Sequence, residues 1–107
     1  MFMKSDILQW VGGHLDGDGS IGIYDGRLRV MVQKSVKAQK VVDRLQHFFG
    51  GSVIRNPSKH PTREDRVQWV LRAKKAQDFA AIIAPYTITK RPQFAAVAKL
   101  KVGRVRV

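Results

Sequence analysis

Asp16 and Asp18 lie two residues apart in the run Trp10-Val11-Gly12-Gly13-His14-Leu15-Asp16-Gly17-Asp18-Gly19-Ser20-Ile21, where a short apolar stretch delivers two acids into a glycine-rich turn. This is the arrangement of a helix whose C-terminal end holds a metal-ready carboxylate, since hard divalent cations take oxygen ligands from carboxylates and backbone carbonyls. An ordinary turn or a calcium-binding loop is the plain alternative. The remaining EF-hand acids and the closing glutamate are absent, which argues against the calcium loop. No pair among His14, His47 and His60 has metal-ligand spacing, and with no cysteine the chain can form neither disulfides nor thiolate sites.

The second chemical signal is charge. Twenty lysines and arginines against eight aspartates and glutamates give a net charge of +12, spread along most of the chain. Solubility needs only about 2 to 8 charges for a small domain, so a polyanion is the expected partner. The length of 107 residues suits one domain, read as residues 1–102 with a loose tail at 103–107. Apolar runs fall short of the roughly 20 residues of a membrane span. The start Met1-Phe2-Met3-Lys4 lacks a signal-peptide layout, so a non-secreted protein is expected.

The elements that position the acids follow from periodicity. Residues 6–15 predict a helix capped at Ser5 or Asp6, with Ile7, Trp10, Val11 and Leu15 on its buried stripe and an end near Asp16. Gly17 and Gly19 supply the freedom to turn into a strand. Ser20 to Tyr24 and Arg27 to Lys34 alternate around an Asp25-Gly26 hairpin signal, placing Leu28, Val30 and Val32 inward and Arg27, Arg29, Met31 and Gln33 outward. Val36 to Phe49 predicts a helix stopped by Gly50-Gly51. A second hairpin joins Ser52–Asn56 to Arg66–Arg72, whose inward face is Val67, Trp69 and Leu71, with Val70 an exception. Lys74 to Ala84 and Arg91 or Pro92 to about Val102 predict two further helices, and Trp10 and Trp69 are expected core aromatics.

Val11 to Gly19 resembles the nine-residue motif of the LAGLIDADG homing endonucleases, and Ser20-Ile21 continues it in the usual way. Gly12 replaces the usual alanine, and His14 stands where a large apolar residue is common. The resemblance implies an α+β fold, αββαββα, whose antiparallel sheet forms a saddle for the DNA major groove. It also implies a homodimer, since one motif is present, paired through Ile7, Trp10, Val11, Gly12, Gly13 and His14. Gly12 and Gly13 would let two helix backbones approach closely.

By the same resemblance Asp18 is the metal-binding catalytic acid, with the Gly17 carbonyl as a further ligand to Mg²⁺, or to Mn²⁺ or Ca²⁺ in a non-cleaving complex. Asp16 supports the helix end. Lys90 matches a basic active-site residue, its plain reading being a solvated lysine before a helix. Gln33 and Lys34 match a region with a water-positioning polar residue, the register being ambiguous by one. His14 reads as an interface residue rather than a general base. DNA contacts fall to Arg27, Arg29, Gln33, Arg55, Arg66, Gln68 and Arg72 on the sheet, and to Lys59, His60 and Arg63 in the loop.

The implied activity is a metal-dependent double-strand break in a long, roughly palindromic target, by an intron- or intein-encoded protein of organelle, cytoplasm or nucleoid. No small-molecule cofactor or membrane is expected. A non-cleaving DNA-binding regulator or RNA maturase on the same scaffold is the alternative, and a basic architectural or ribosomal protein a third.

Overall fold

A computed structural model describes residues 5–99. Its order is α1 (Ser5–Asp18), β1 (Gly19–Tyr24), β2 (Arg27–Ser35), a 3-10 turn (Val36–Ala38), α2 (Gln39–Phe49), β3 (Ser52–Asn56), β4 (Arg66–Arg72), α3 (Ala73–Ile83), a second 3-10 turn (Ala84–Tyr86) and α4 (Arg91–Ala98). The four strands form one antiparallel sheet in the order β1-β2-β4-β3, so the two hairpins meet along β2 and β4. This is the expected α+β fold.

Each hairpin has its own closure. Asp25 and Gly26 both take positive φ (53° and 74°), as a two-residue turn matched to strand twist requires. Between β3 and β4 runs a long loop, residues 57–65, organised by Asp65, which accepts from the Ser58 amide at 2.9 Å and from Arg55. The end of the same loop is tied to the first 3-10 turn, where Val36 N–H donates to the Asp65 carbonyl at 3.0 Å.

Period-two alternation sorts the strands into two faces. Leu28, Val30, Val32, Val67, Trp69 and Leu71 are buried on the inner face, against Val42 and Leu45 of α2, Phe79, Ala80 and Ile83 of α3, Phe94 of α4 and Leu8, Val11 and Leu15 of α1. Phe79 packs edge-on against both Phe49 (ring centroids 4.7 Å) and Trp69 (5.3 Å), and Trp69 Nε1 donates to the Gly50 carbonyl at 2.8 Å. A side chain at Gly51 would collide with the Val70 carbonyl, so the α2–β3 turn depends on that glycine. Val70, out of pattern in the sequence, belongs to the outer face yet is buried, between its register partners Met31 and Ser52 at the centre of the sheet.

Four expectations are corrected. α1 does not stop near Asp16 but runs through Gly17 to Asp18, and neither Gly17 nor Gly19 takes positive φ. The glycine at 19 serves close approach instead: a Cβ there would sit 2.8 Å from the Leu15 backbone. The buried stripe of α1 is Leu8, Val11, Gly12 and Leu15, while Ile7 and Trp10 are half-buried at its edge. Trp10 is therefore a half-buried aromatic packed against the edge of the core, with His14 edge-on at 4.7 Å and the Arg44 guanidinium 6.0 Å away. The last helix ends at Ala98 within the described residues; its expected extension to about Val102 and the tail at 103–107 lie outside them.

Candidate active site

Three segments meet where α1 passes into β1: the last turn of α1, the end of β2 and the turn at residues 87–90. Asp16 faces that turn. Its carboxylate accepts from Ile88 N–H (2.7 Å), Thr89 Oγ1 (3.0 Å) and Lys90 N–H (3.1 Å), fastening the approach to α4 onto α1. Burial pushes the Asp16 carboxyl up, but the hydrogen bonds from Lys90, Ile88 and Thr89 outweigh it and hold the group below the usual carboxylate range. Such an acid is a structural anchor with little lone-pair capacity left for a ligand.

Lys90 completes the fastening. Its Nζ donates to the Leu15 carbonyl at 2.8 Å and also to the Gly19 carbonyl, placing an ammonium at the negative end of the helix dipole. This contact supports the continuation of α1 past Asp16: a carbonyl of its last turn and the first of β1 share a cationic partner from a segment some seventy residues away.

Asp18 is different. Its Oδ2 is ion-paired with Lys34 Nζ, and no other hydrogen bond to its carboxylate is seen among the described residues. The Lys34 hydrogen bond, aided by the charges of Lys34, His14 and Arg66, overcomes desolvation and holds the carboxyl below the usual range. Asp18 is therefore ionised at neutral pH. His14, one turn earlier, is shifted the other way in charge: burial and then Lys34 lower its pKa, so it is neutral at pH 7.

The register sets Gln33 and Lys34 on opposite faces of the sheet. Lys34 has the parity of Val30 and Val32 and reaches the helix-covered side, where it finds Asp18, whereas Gln33 points outward opposite Gln68. The structure thus brings Asp18 and Lys34 together and sets Gln33 on the other face. As donors for a cation, the chain offers here the Asp18 carboxylate and the adjacent, exposed Gly17; no group of three His, Cys, Asp or Glu side chains exists among the described residues. Hard oxygen donors suit Mg²⁺, but these two fall short of the octahedral set such an ion takes.

On the outer sheet face, Arg27, Arg29, Gln33, Arg66, Gln68 and Arg72 share one parity, with Arg29 paired to Arg72 across β2 and β4. Arg55 does not: it has the parity of Val53, and its guanidinium is held by Asp65 at 2.8 Å. Lys59, His60 and Arg63 are exposed on the long loop. Sequence reasoning passed over Tyr24, whose ring lies 4.9 Å from the Arg29 guanidinium, and Asn56, which donates to Gln68 Oε1 at 3.1 Å. Their outward parity was readable from the alternation; their partners were not.

The proposed interface residues divide. Val11 is fully buried, and a side chain at Gly12 would lie 2.0 Å from the Tyr86 carbonyl, so both serve packing within the chain. Gly13 is exposed with nothing within 4 Å of its would-be Cβ, and Ile7, Trp10 and His14 flank it half-buried. A groove of about 410 Å³ between α1 and α2, lined by Trp10, Arg44 and Phe48 among others, opens at the far end of α1 from Asp18. Among the described residues no helix is long and apolar enough to cross a membrane.

Comparison with solved structures identifies the fold. The homing endonuclease I-TnaI aligns with a TM-score of 0.63 at 24% identity, covering 92% of this chain and 71% of that one. I-CvuI, solved with its target in the presence of calcium, aligns at 0.62 and 18% identity, over 85% of this chain and 62% of its own. The LAGLIDADG homing endonuclease I-SmaMI bound to cleaved DNA gives 0.62 at 15% identity, over 86% of this chain and 34% of its own. This chain thus spans less than two thirds of I-CvuI and about a third of I-SmaMI. No family model matches the sequence, and no curated protein matches it. The chain has the fold of LAGLIDADG homing endonucleases.

Proposed function

We propose that the chain is a single-motif LAGLIDADG homing endonuclease that acts as a homodimer, making a divalent-metal-dependent double-strand break in a long, roughly palindromic DNA duplex. The observation that carries this reading is the contrast between the two motif acids: Asp16 is saturated by hydrogen bonds, whereas Asp18 is ionised, 46% exposed and engaged only by the Lys34 ammonium. Several solved neighbours of this fold are DNA complexes, one with calcium and another with magnesium and uncleaved DNA.

In this reading two copies meet along the exposed side of α1 at Gly13 and Gly17, bringing one Asp18 from each to the base of the interface. Asp18 and the Gly17 carbonyl would hold Mg²⁺. Bound there, such an ion would supply Lewis-acid polarisation of a phosphate and a more acidic water as nucleophile. The chain's own contribution is placement. Lys90 and Asp16 lock the last turn of α1, fixing where Asp18 points, and Lys34 and Arg66 set a positive field at the severed phosphate. Arg27, Arg29, Arg66, Gln68 and Arg72 provide the groove-facing surface, arginine suiting guanine and glutamine adenine. The protein acts inside the cell, where such duplexes are found.

Selection of cleaved sites from a randomised duplex library with Mg²⁺ tests the activity. Asp18→Asn abolishes cutting and leaves duplex binding in place; undiminished cutting rejects the role of Asp18. A second reading, a non-cleaving DNA binder or maturase on this scaffold, is favoured by the engagement of Lys34 and Lys90 in contacts within the chain. Duplex gel shifts without cleavage under any divalent cation would establish it.

A further inference from the structure

Lys34 sits where a lysine is costly unless its charge is used. It alternates with Val30 and Val32 onto the helix-covered side of β2, its side chain is only 15% exposed, and its ammonium contacts Asp18 Oδ2. The rest of the sheet at that level needs no cation: the neighbouring inward residues Val32 and Val67 are buried hydrocarbon. Lys34 and a divalent ion seek the same carboxylate, and two cations held against one carboxylate repel each other.

Resting on the reading of Asp18 as the cation-holding acid, we propose that Lys34 is a built-in counter-ion: it keeps Asp18 closed to divalent cations in the free protein and releases it when DNA arrives. The ammonium rides on a flexible four-carbon stem, so it can exchange one oxyanion for another without backbone movement. Arg66 stands on the other face of the sheet from Lys34 but its charge acts on Asp18, so a phosphodiester drawn to it presents an alternative oxyanion within the same field. Lys34 then turns from the carboxylate to the phosphate, and Asp18 becomes available to the ion. Cation capture is thereby conditional on nucleic acid, and the free protein stays unloaded.

Mn²⁺ binding to the free protein, followed by electron paramagnetic resonance, tests this without reference to cleavage. Lys34→Met is expected to bind Mn²⁺ about tenfold or more tightly than wild type, Lys34→Arg to stay weak, and Lys34→Met with Asp18→Asn to lose the gain. A gain that is absent in Lys34→Met, or that survives Asp18→Asn, overturns the proposal. Lys34→Gln serves in its place if circular dichroism shows Lys34→Met unfolded. A short random-sequence duplex, with its own Mn²⁺ uptake subtracted, tests the exchange: it should raise the affinity of wild type more than that of Lys34→Met, and equal increments reject it. A protein that never cuts DNA can still satisfy the free-protein arms, and an active nuclease whose Mn²⁺ affinity ignores Lys34 rejects this inference alone.

Discussion

The two faces of α1 use the same residue types for opposite ends. On the inner side Gly12 admits the Tyr86 carbonyl and Asp16 gathers three hydrogen bonds from the turn before α4; on the outer side Gly13 and Gly17 face open space, and Asp18, at the helix end beside β2, meets only a movable lysine. A glycine pair and an aspartate pair each contribute one member to the fold and leave the other accessible. The lesson is that residue type marks the motif, but helical phase assigns the job: one step around the helix, about 100°, separates Gly12 from Gly13.

The strongest way to break this contrast is Gly12→Ala. A methyl group 2.0 Å from a backbone oxygen forces α1 away from the second 3-10 turn, and the expected loss is about 1 to 3 kcal/mol in denaturant unfolding. An unchanged midpoint would show that the turn yields freely and that Gly12 is not a packing requirement. Asp16→Asn comes next, with a loss of about 1 to 3 kcal/mol as charge-assisted acceptors become neutral ones. Because the folded pKa of Asp16 is depressed, its contribution is present above the unfolded carboxylate pKa and is lost as pH falls through the lower folded value. Stability of the wild type should therefore drop in acid, below about pH 4, more steeply than that of Asp16→Asn. Parallel acid limbs would remove Asp16 from the account.

Gly13→Ala has the smallest effect and the opposite sign. With nothing in reach of its Cβ, the substitution should stabilise the isolated protomer by up to about 1 kcal/mol through helix propensity. If α1 packs closely on a second copy, the same methyl weakens the dimer, which light-scattering mass across a dilution series would register. A protomer gain with no change in dimer mass would move the interface away from Gly13.

Much of this was legible in the sequence because it is local. Alternation over Arg27 to Ser35 and the Asp25-Gly26 turn fixed the first hairpin, and Gly50-Gly51 ended α2 where positive φ was needed. The motif located Asp18. The resemblance already gave Asp16 and Asp18 different roles, but the split between Gly12 and Gly13 and the partners of Asp16 were not legible, because those partners are remote: Ile88, Thr89 and Lys90 stand more than seventy residues from Asp16, and Tyr86 equally far from Gly12. The same holds for Lys34, whose inward parity follows from strand register but whose pairing depends on α1 extending to Asp18. Arg55 looked like its neighbours in composition and was separated from them by the loop acid Asp65.

Asn56, Gln68 and Met31 form a small chain across three strands of the outer face, Asn56 Nδ2 bonding to Gln68 Oε1 at 3.1 Å and Gln68 Nε2 to Met31 Sδ at 3.0 Å. An amide whose two ends are both committed cannot be swapped without reorienting its neighbours, so the effects of changes at these positions will not simply add. On the proposed reading of this face as a duplex-contacting surface, altering its sequence preference would require varying all three together, and a library that randomises them one by one would miss most of the workable combinations.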